Sequence, residues 1–313
     1  MLQKLLYIQA VTVVTNGNSN TLNLLFEVNS LDFFDLHCDT PTECYNKNKA
    51  FIHNDLAVSN EKGSVFDNWH QCFAIWIDDK LYNPYVYYKN VLNDFKIKLK
   101  GAKNNLTPLF MVEGGSLIEN EAERVIKLKK DGIKALTLTW DGENQIASGS
   151  RASGGLKPFG RRVIELLNEC KIATDLSHLN RKSFFDVIEI SNCPIATHSC
   201  CDGVYSHRRN LTDEQIKLIV ERNGIIGLCL CPLFLGKGDV FMKIYKHLYH
   251  LLDKGYENHI AIGSDFDGAE MNEHLTDISK IPLLYDKLID FGIEESVLQK
   301  IFFKNAYNFF LKL

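Results

Sequence analysis

The chain has 313 residues, 45% of them hydrophobic and 24% charged, with a formal net charge of −4. Such a balance is ordinary for a globular protein, offers no global field that would draw nucleic acid or an anionic membrane, and includes no run of about 18 apolar residues that could span a bilayer. The length suits one barrel domain of roughly 250 residues plus extensions.

Residues 1–31 carry two apolar runs on either side of Asn-Gly-Asn-Ser-Asn (16–20), the pattern of a β-hairpin. Lys4 and the run from Leu5 to Val14 fit a signal peptide only weakly, because Gln9 interrupts and no Ala-x-Ala follows. The expectation is an N-terminal extension over 1–31, a hairpin or a poorly ordered segment, ahead of a catalytic domain over 32–313.

From residue 32 onward, short apolar runs alternate with amphipathic segments, the rhythm of parallel βα units. Strands are predicted at 33–37, 72–77, 108–113, 135–140, 172–178, 194–198, 225–230 and 259–265. Helices are predicted from Glu119 to Lys130, Arg161 to Cys170, Arg181 to Ile190 and Thr212 to Arg222. Thr212 and Gln215 make a capping box, and Asn223-Gly224 ends the same helix. The stretch from Ile281 reads as closing helices. Eight such units specify an α/β fold, a (β/α)8 TIM barrel, whose chemistry collects where the strands end.

The nine cysteines (38, 44, 72, 170, 193, 200, 201, 229 and 231) form no Cys-x-x-Cys pair, which argues against a four-cysteine zinc site. A chain this long needs no disulfide staples, and a reducing, cytoplasmic setting is expected. Cys229 and Cys231 lie in an apolar run and read as core thiols.

The polar residues fall where a barrel keeps its site. Strand one runs into His37 and Asp39, strand three into Glu113, strand five into His178, strand six into His198 and strand eight into Asp265. On a strand, residues two apart share a face, so His37 and Asp39 can both reach inward. Any one of these residues alone is weak evidence; their joint placement at one rim is not. Imidazole with carboxylate suits zinc and similar divalent ions. Three histidines and two carboxylates exceed what one open catalytic zinc takes, and suit two ions with Glu113 bridging. Asp265 admits three readings (ligand, general acid/base or structural carboxylate), of which its position at a strand end favours the catalytic one. Asp267 shapes the loop and Asp175 reads as structural. Arg209, in His207-Arg208-Arg209-Asn210, either forks onto a substrate carboxylate or belongs to a solvated basic turn. His53, His70, His247, His250, His259 and His274 lack positional support and read as surface or structural residues.

Asp35-Leu-His-Cys-Asp-Thr-Pro, Val112-Glu-Gly-Gly, Thr137-Leu-Thr-Trp, Gly154-Gly-Leu-Lys-Pro-Phe-Gly, Asp175-Leu-Ser-His, Thr197-His-Ser, Arg208-Arg-Asn and Gly263-Ser-Asp-Phe-Asp-Gly occur in that order. The set resembles the membrane dipeptidase (renal dipeptidase) family of zinc peptidases, particularly its bacterial members, over about 32–311. The resemblance implies a zinc-dependent dipeptidase with two zinc ions per chain, acting through a metal-bridging hydroxide, with a D-residue tolerated at the C-terminal position of the substrate. By position, His37 and Asp39 match the ligands of one zinc, His178 and His198 those of the other, and Glu113 the bridge. Arg209 matches the arginine that holds the substrate carboxylate, and Asp265 the aspartate that moves the proton. A homodimer is also implied.

Two departures stand out. Trp140 replaces the substrate-contacting histidine of the mammalian enzymes, so that contact falls to the metals or to a neighbour such as Asn144. Cys229-Leu-Cys231-Pro232 stands where an aromatic pair is usual, so the pocket is reshaped. The ending Phe-Phe-Leu-Lys-Leu lacks the apolar tail of a lipid-anchored form, so no membrane anchor is expected. The competing readings are a two-metal amidohydrolase acting on another amide, an N-acyl amino acid or a lactone, and a non-catalytic binding protein on the same scaffold.

Overall fold

The alternating pattern closes on itself. The computed structural model describes residues 31–313 and, ahead of them, 11–12 and 25–26. Strands β1 (Phe33–Cys38), β2 (Trp69–Trp76), β3 (Leu106–Glu113), β4 (Ile133–Thr137), β5 (Ala173–Asp175), β6 (Pro194–Ser199), β7 (Ile225–Cys229) and β8 (Ile260–Gly263) run in sequence order around a closed barrel. All pairings are parallel, and β8 pairs with both β7 and β1, which leaves the barrel no edge. The eight strands and the TIM-barrel architecture expected from the sequence are therefore present.

Inside the barrel, Phe34, Leu36, Cys72, Ala74, Met111, Ala135, Ala173, Ile195, Ile225 and Ala261 form one apolar layer with Phe309 and Phe310. Phe34 stacks on Phe310 with ring centroids 5.5 Å apart. The last helix, Asn305–Phe310, thus plugs the end where the strands begin. A second, larger core lies between the barrel wall and the outer helices.

Three local departures from the expected pattern shape the open end. Strict alternation would turn His37 away from the interior that Leu36 faces. A register shift between Asp35 and Cys38 resets the phase, so both side chains are buried towards the axis. Strands β5 and β8 stop early, at Asp175 and Gly263, so His178 and Asp265 lie in the turns beyond them. Both adopt positive φ, 70° and 65°, a left-handed conformation that costs a non-glycine residue about 1–3 kcal/mol.

The capping box forms as expected, with the Thr212 side chain accepting from the Gln215 amide and Gln215 accepting from the Thr212 amide. Asn223, with φ 53°, supplies the left-handed turn after that helix. The helix predicted from Glu119 begins only at Arg124. Glu119 has φ 50° and ends a short turn of 3-10 helix, Gly115–Ile118. Arg124 reaches back to the Leu117 carbonyl at 2.8 Å and pairs with Glu119 and Glu121, folding the intervening segment onto itself. The helix expected at Arg161 starts earlier, at Pro158, which is suited to a first helical turn.

In the N-terminal extension, Val11–Thr12 pairs antiparallel with Leu25–Phe26, the pairing a hairpin requires. The Asn-Gly-Asn-Ser-Asn turn lies outside the described residues. Among the described residues, no helix is long and apolar enough to cross a membrane.

Two glycines, one in β7 and one in β8, pack closely against β6. A Cβ added to Gly263 would sit 1.7 Å from the Thr197 carbonyl oxygen, and one added to Gly227 would sit 2.0 Å from it. Because the obstacle is backbone, Gly263→Ala should destabilise the fold by about 2–3 kcal/mol. A urea midpoint equal to that of the parent protein would show that the strands can move apart.

Candidate metal centre

Glu113, the last residue of β3, organises the open end of the barrel. One of its oxygens, Oε1, lies 2.7 Å from His178 Nε2 and 3.6 Å from His198 Nε2. The other, Oε2, lies 3.5 Å from His37 Nε2, and His37 Nε2 lies 3.4 Å from Asp39 Oδ2. His37, Asp39, Glu113, His178 and His198 are each at most 7% exposed. The structure therefore brings together all five residues singled out by position. Two compact groups result: Glu113 with His178 and His198, and His37 with Asp39 and Asp265, each with its donor atoms within 4.8 Å of one another.

The electrostatics are unresolved by the protein alone. Burial opposes charge on His37, yet Glu113 and Asp39 raise its pKa well above the usual imidazole value. Burial also opposes charge on Glu113, but His37 and His178 hold its carboxyl well below the usual range. Asp39 is pushed well up by burial and by Glu113, while His198 is pushed well down by burial and by the His37 and Arg209 charges. Two buried atoms, His37 Nε2 and Asp39 Oδ1, have no hydrogen-bond partner. His178 Nε2 and His198 Nε2 face each other across 2.8 Å. Two imidazole Nε2 atoms beside a shared carboxylate are a donor set that a divalent cation takes. The residues present suit divalent ions.

His178 is held from behind. Its Nδ1 lies 3.1 Å from Asp141 Oδ1, which also accepts from Ser150 Oγ at 2.8 Å. Arg151 pairs with the other Asp141 oxygen at 2.8 Å. Burial works against the Asp141 charge, but the bonds from His178 and Ser150 and the Arg209 charge hold its carboxyl below the usual range. A carboxylate behind an imidazole fixes the Nδ1–H tautomer and turns the Nε2 lone pair inward.

Asp265 is 8% exposed, and burial raises its carboxyl pKa against the pull of His37. The Cys229 thiol donates to its Oδ2 at 3.6 Å. Arg209 is almost wholly buried, donates to the His198 carbonyl at 3.4 Å and stacks over Phe234 at 5.3 Å. Its Nε has no partner, and among the described residues no carboxylate lies within 4.0 Å of it. Both residues line a cavity of about 530 Å³ that opens onto the cluster, as does Trp140.

Asn144 does not join them. Its amide nitrogen donates to the Leu138 carbonyl and its oxygen accepts from the Ile146 and Ala147 amides, so it is consumed in shaping its own loop. Asn144 is not among the residues that line the cavity. Trp76 lines it instead, meeting Trp140 edge-on at 5.2 Å. Trp76 ends β2 and is paired in register with Glu113, so its place at a strand end is the signal in the sequence that marks it. Asp141 was missed for a different reason, since only contact across the barrel gives it a role; Cys229, read as a core thiol, is buried and reaches Asp265 by such a contact. Asp267, as expected, shapes the loop, accepting from Thr40 Oγ1 and from the Ala57 and Val58 amides.

A closed (β/α)8 barrel with buried histidines and carboxylates at the C-terminal mouth is the scaffold of a metal-dependent hydrolase. The sequence model of the membrane dipeptidase family, peptidase family M19, matches residues 89–311, and the chain belongs to that family of metallo-dipeptidases. A protein of Klebsiella pneumoniae from the pqqA 5′ region is 30% identical over 209 residues, covering 62% of this chain and 77% of that protein. A dipeptidase of Schizosaccharomyces pombe is 28% identical over 221 residues, or 67% of this chain, and the match spans only 54% of that relative's length. Among solved structures, a metallopeptidase from Rhodobacter sphaeroides, liganded with a phosphinate mimic of the dipeptide L-Ala-D-Ala, has a TM-score of 0.82 at 22% identity, covering 90% of this chain and 99% of that one. At that identity the likeness speaks to the fold.

If Asp141 orients His178, Asp141→Ala should weaken divalent-metal affinity about 10- to 100-fold. Asp141→Asn, which keeps an acceptor, should lose less. Chelator competition measures both, and equal affinity in all three proteins would remove Asp141 from the centre.

Proposed function

We propose that the chain hydrolyses the peptide bond of dipeptides with two zinc ions, one held by His37 and Asp39, the other by His178 and His198, with Glu113 shared. The observation that carries this reading is the division of the Glu113 carboxylate, Oε2 towards His37 and Oε1 towards His178 and His198. A pair of divalent ions a few Å apart supplies an activated water at neutral pH and polarises the scissile carbonyl.

The chain's own residues do the rest. Arg209 binds the free C-terminal carboxylate of the substrate through its unpartnered edge and so sets the register of the scissile bond. Asp265, beside His37 and Asp39, takes a proton from the attacking water and delivers it to the leaving amine. Burial favours its protonated form and therefore helps it retain that proton between the two transfers. Trp76 and Trp140 form an apolar wall that excludes water and packs the substrate's side chain. The cavity carries both charges, Glu43, Asp267 and Glu270 with Arg151, Arg208 and Arg209. A zwitterionic dipeptide, ammonium at one end and carboxylate at the other, matches that polarity. The Rhodobacter sphaeroides neighbour with its L-Ala-D-Ala mimic supports including a D-residue at the C-terminal position. A homodimer, which the family resemblance implies, is part of the same reading.

Chelation should abolish dipeptide cleavage and added zinc should restore it. Asp265→Asn should lose turnover while keeping the parent's metal content, and full activity in that variant would remove its proton-transfer role. Arg209→Met should lower kcat/KM for free dipeptides about 10- to 100-fold, the worth of a charged hydrogen bond. It should leave C-terminally amidated analogues nearly unaffected. Equal losses on free and amidated substrates would remove Arg209 as the carboxylate anchor and favour the reading of another amide, an N-acyl amino acid or a lactone as substrate.

A further inference from the structure

We infer that Thr197 is a positioning residue that sets the ring tautomer of two histidines at once, one from each half of the centre. The inference rests on the metal-binding reading above and concerns a residue that reading does not use. Thr197 Oγ1 donates to Asp175 Oδ2 at 2.7 Å. The same oxygen lies 2.9 Å from His198 Nδ1 and 3.3 Å from His37 Nδ1.

A hydroxyl has one proton and two lone pairs. With the proton directed at Asp175, both lone pairs are left to accept, and each imidazole must present Nδ1–H to them. Each ring then turns an Nε2 lone pair into the centre: His37 towards Asp39 and Glu113, His198 towards Glu113 and His178. The Ser177 hydroxyl, at 3.4 Å, is the most distant of the four neighbours.

The direction of the Thr197 proton is itself fixed. Asp175 Oδ2 also accepts from Thr137 Oγ1 at 2.6 Å, and Oδ1 accepts from the Ser177 and Thr197 amides at 3.1 and 3.0 Å. Both Asp175 oxygens are thus surrounded by donors, and the threonine is not called on to accept from Asp175. Its backbone cannot drift either, because the Thr197 carbonyl is wedged against Gly227 and Gly263. All four side chains, Thr197, Asp175, His37 and His198, are buried. The two rings pack with centroids 4.0 Å apart, so neither can rotate alone.

The same geometry decides a competing reading. His37, Asp175 and His198 also bring donor atoms within 4.8 Å of one another, as a third metal site would. The Thr197 hydroxyl bonds all three from within that group, and the atoms involved are the Nδ1 faces. The group is a protein-internal knot that supports the centre from beneath.

The test compares wild type, Thr197→Val and Thr197→Ser, each freed of metal and titrated with Co²⁺ alone under chelator competition, with the visible absorption of the bound ion as readout. Valine keeps the shape and removes the hydroxyl. We expect it to weaken both Co²⁺ equivalents about 10- to 100-fold and to alter the absorption band. Serine should restore affinity to within a few-fold. Thr197→Val binding both equivalents as tightly as wild type overturns the inference. A wild-type protein that takes up no Co²⁺ overturns the metal reading itself, a distinct failure. Should the valine variant not fold, long-range proton–nitrogen spectra of wild type labelled with ¹⁵N-histidine decide the matter. Nδ1–H tautomers at His37 and His198 are expected, and an Nε2–H tautomer at either ring overturns the assignment.

Discussion

A buried carboxylate divided between imidazoles from opposite walls of a barrel is the constraint to which the rest of this structure answers. Removing Glu113 from water is costly, and the cost is tolerable only if positive or hydrogen-bonding groups surround both oxygens. Here they come from separate parts of the sheet: β1 supplies His37 to Oε2, while the neighbouring β5 and β6, through a turn and a strand end, supply His178 and His198 to Oε1. No local hairpin or helix could assemble such a set. Closure of the barrel does so, because it points strand ends from all around the circle at one axis.

Reaching that axis requires breaking the strand pattern where the site begins. The register shift on β1 lets His37 follow Leu36 to the same side, and the left-handed turns at His178 and Asp265 swing those side chains over the mouth. Such conformations persist only where the surroundings over-determine them. Around Asp265 they do. Buried Asp35 accepts from Ser264 through both its amide and its hydroxyl, at 2.8 and 2.6 Å, and Asp267 is held by three donors on the other side. Asp141 serves His178 in the same way. The strain sits on the residues nearest the chemistry, and its hydrogen-bonded supports sit one layer behind.

That layering explains what could be read from the sequence. The eight strands were legible because burial on both faces leaves continuous apolar runs, and the five clustered residues were legible because a strand end is a position the sequence itself marks. Asp175 was read as structural, but what it supports was not legible, and neither were Thr197 and Asp141, since their importance lies in contacts 22 to 160 residues away in the chain. Asn144 misled for a related reason: its proximity to Trp140 in sequence suggested a shared face, whereas its side chain is spent on the Leu138 carbonyl and on the two amides of its own turn. The helix expected from Glu119 failed because periodicity does not register an arginine, Arg124, that folds the preceding segment back on itself.

The two ends of the barrel divide stability from function. At the closed end, aromatic and aliphatic side chains pack against the last helix and leave little polar surface to satisfy. At the open end, His37 Nε2, Asp39 Oδ1, Trp76 Nε1, Thr139 Oγ1 and Arg209 Nε are all buried without a partner. Each such atom costs about 1–3 kcal/mol, so a concentration of them at one end would be a liability if nothing compensated. Donors and acceptors of both kinds are represented, and Asp39, Trp76 and Arg209 line one cavity. A cation answers the imidazole and the carboxylate, an anionic group answers the guanidinium, and an apolar body between them answers the tryptophan wall. Partnerless groups of opposite character thus gather at the open end, while the packing that holds the barrel together lies at the other.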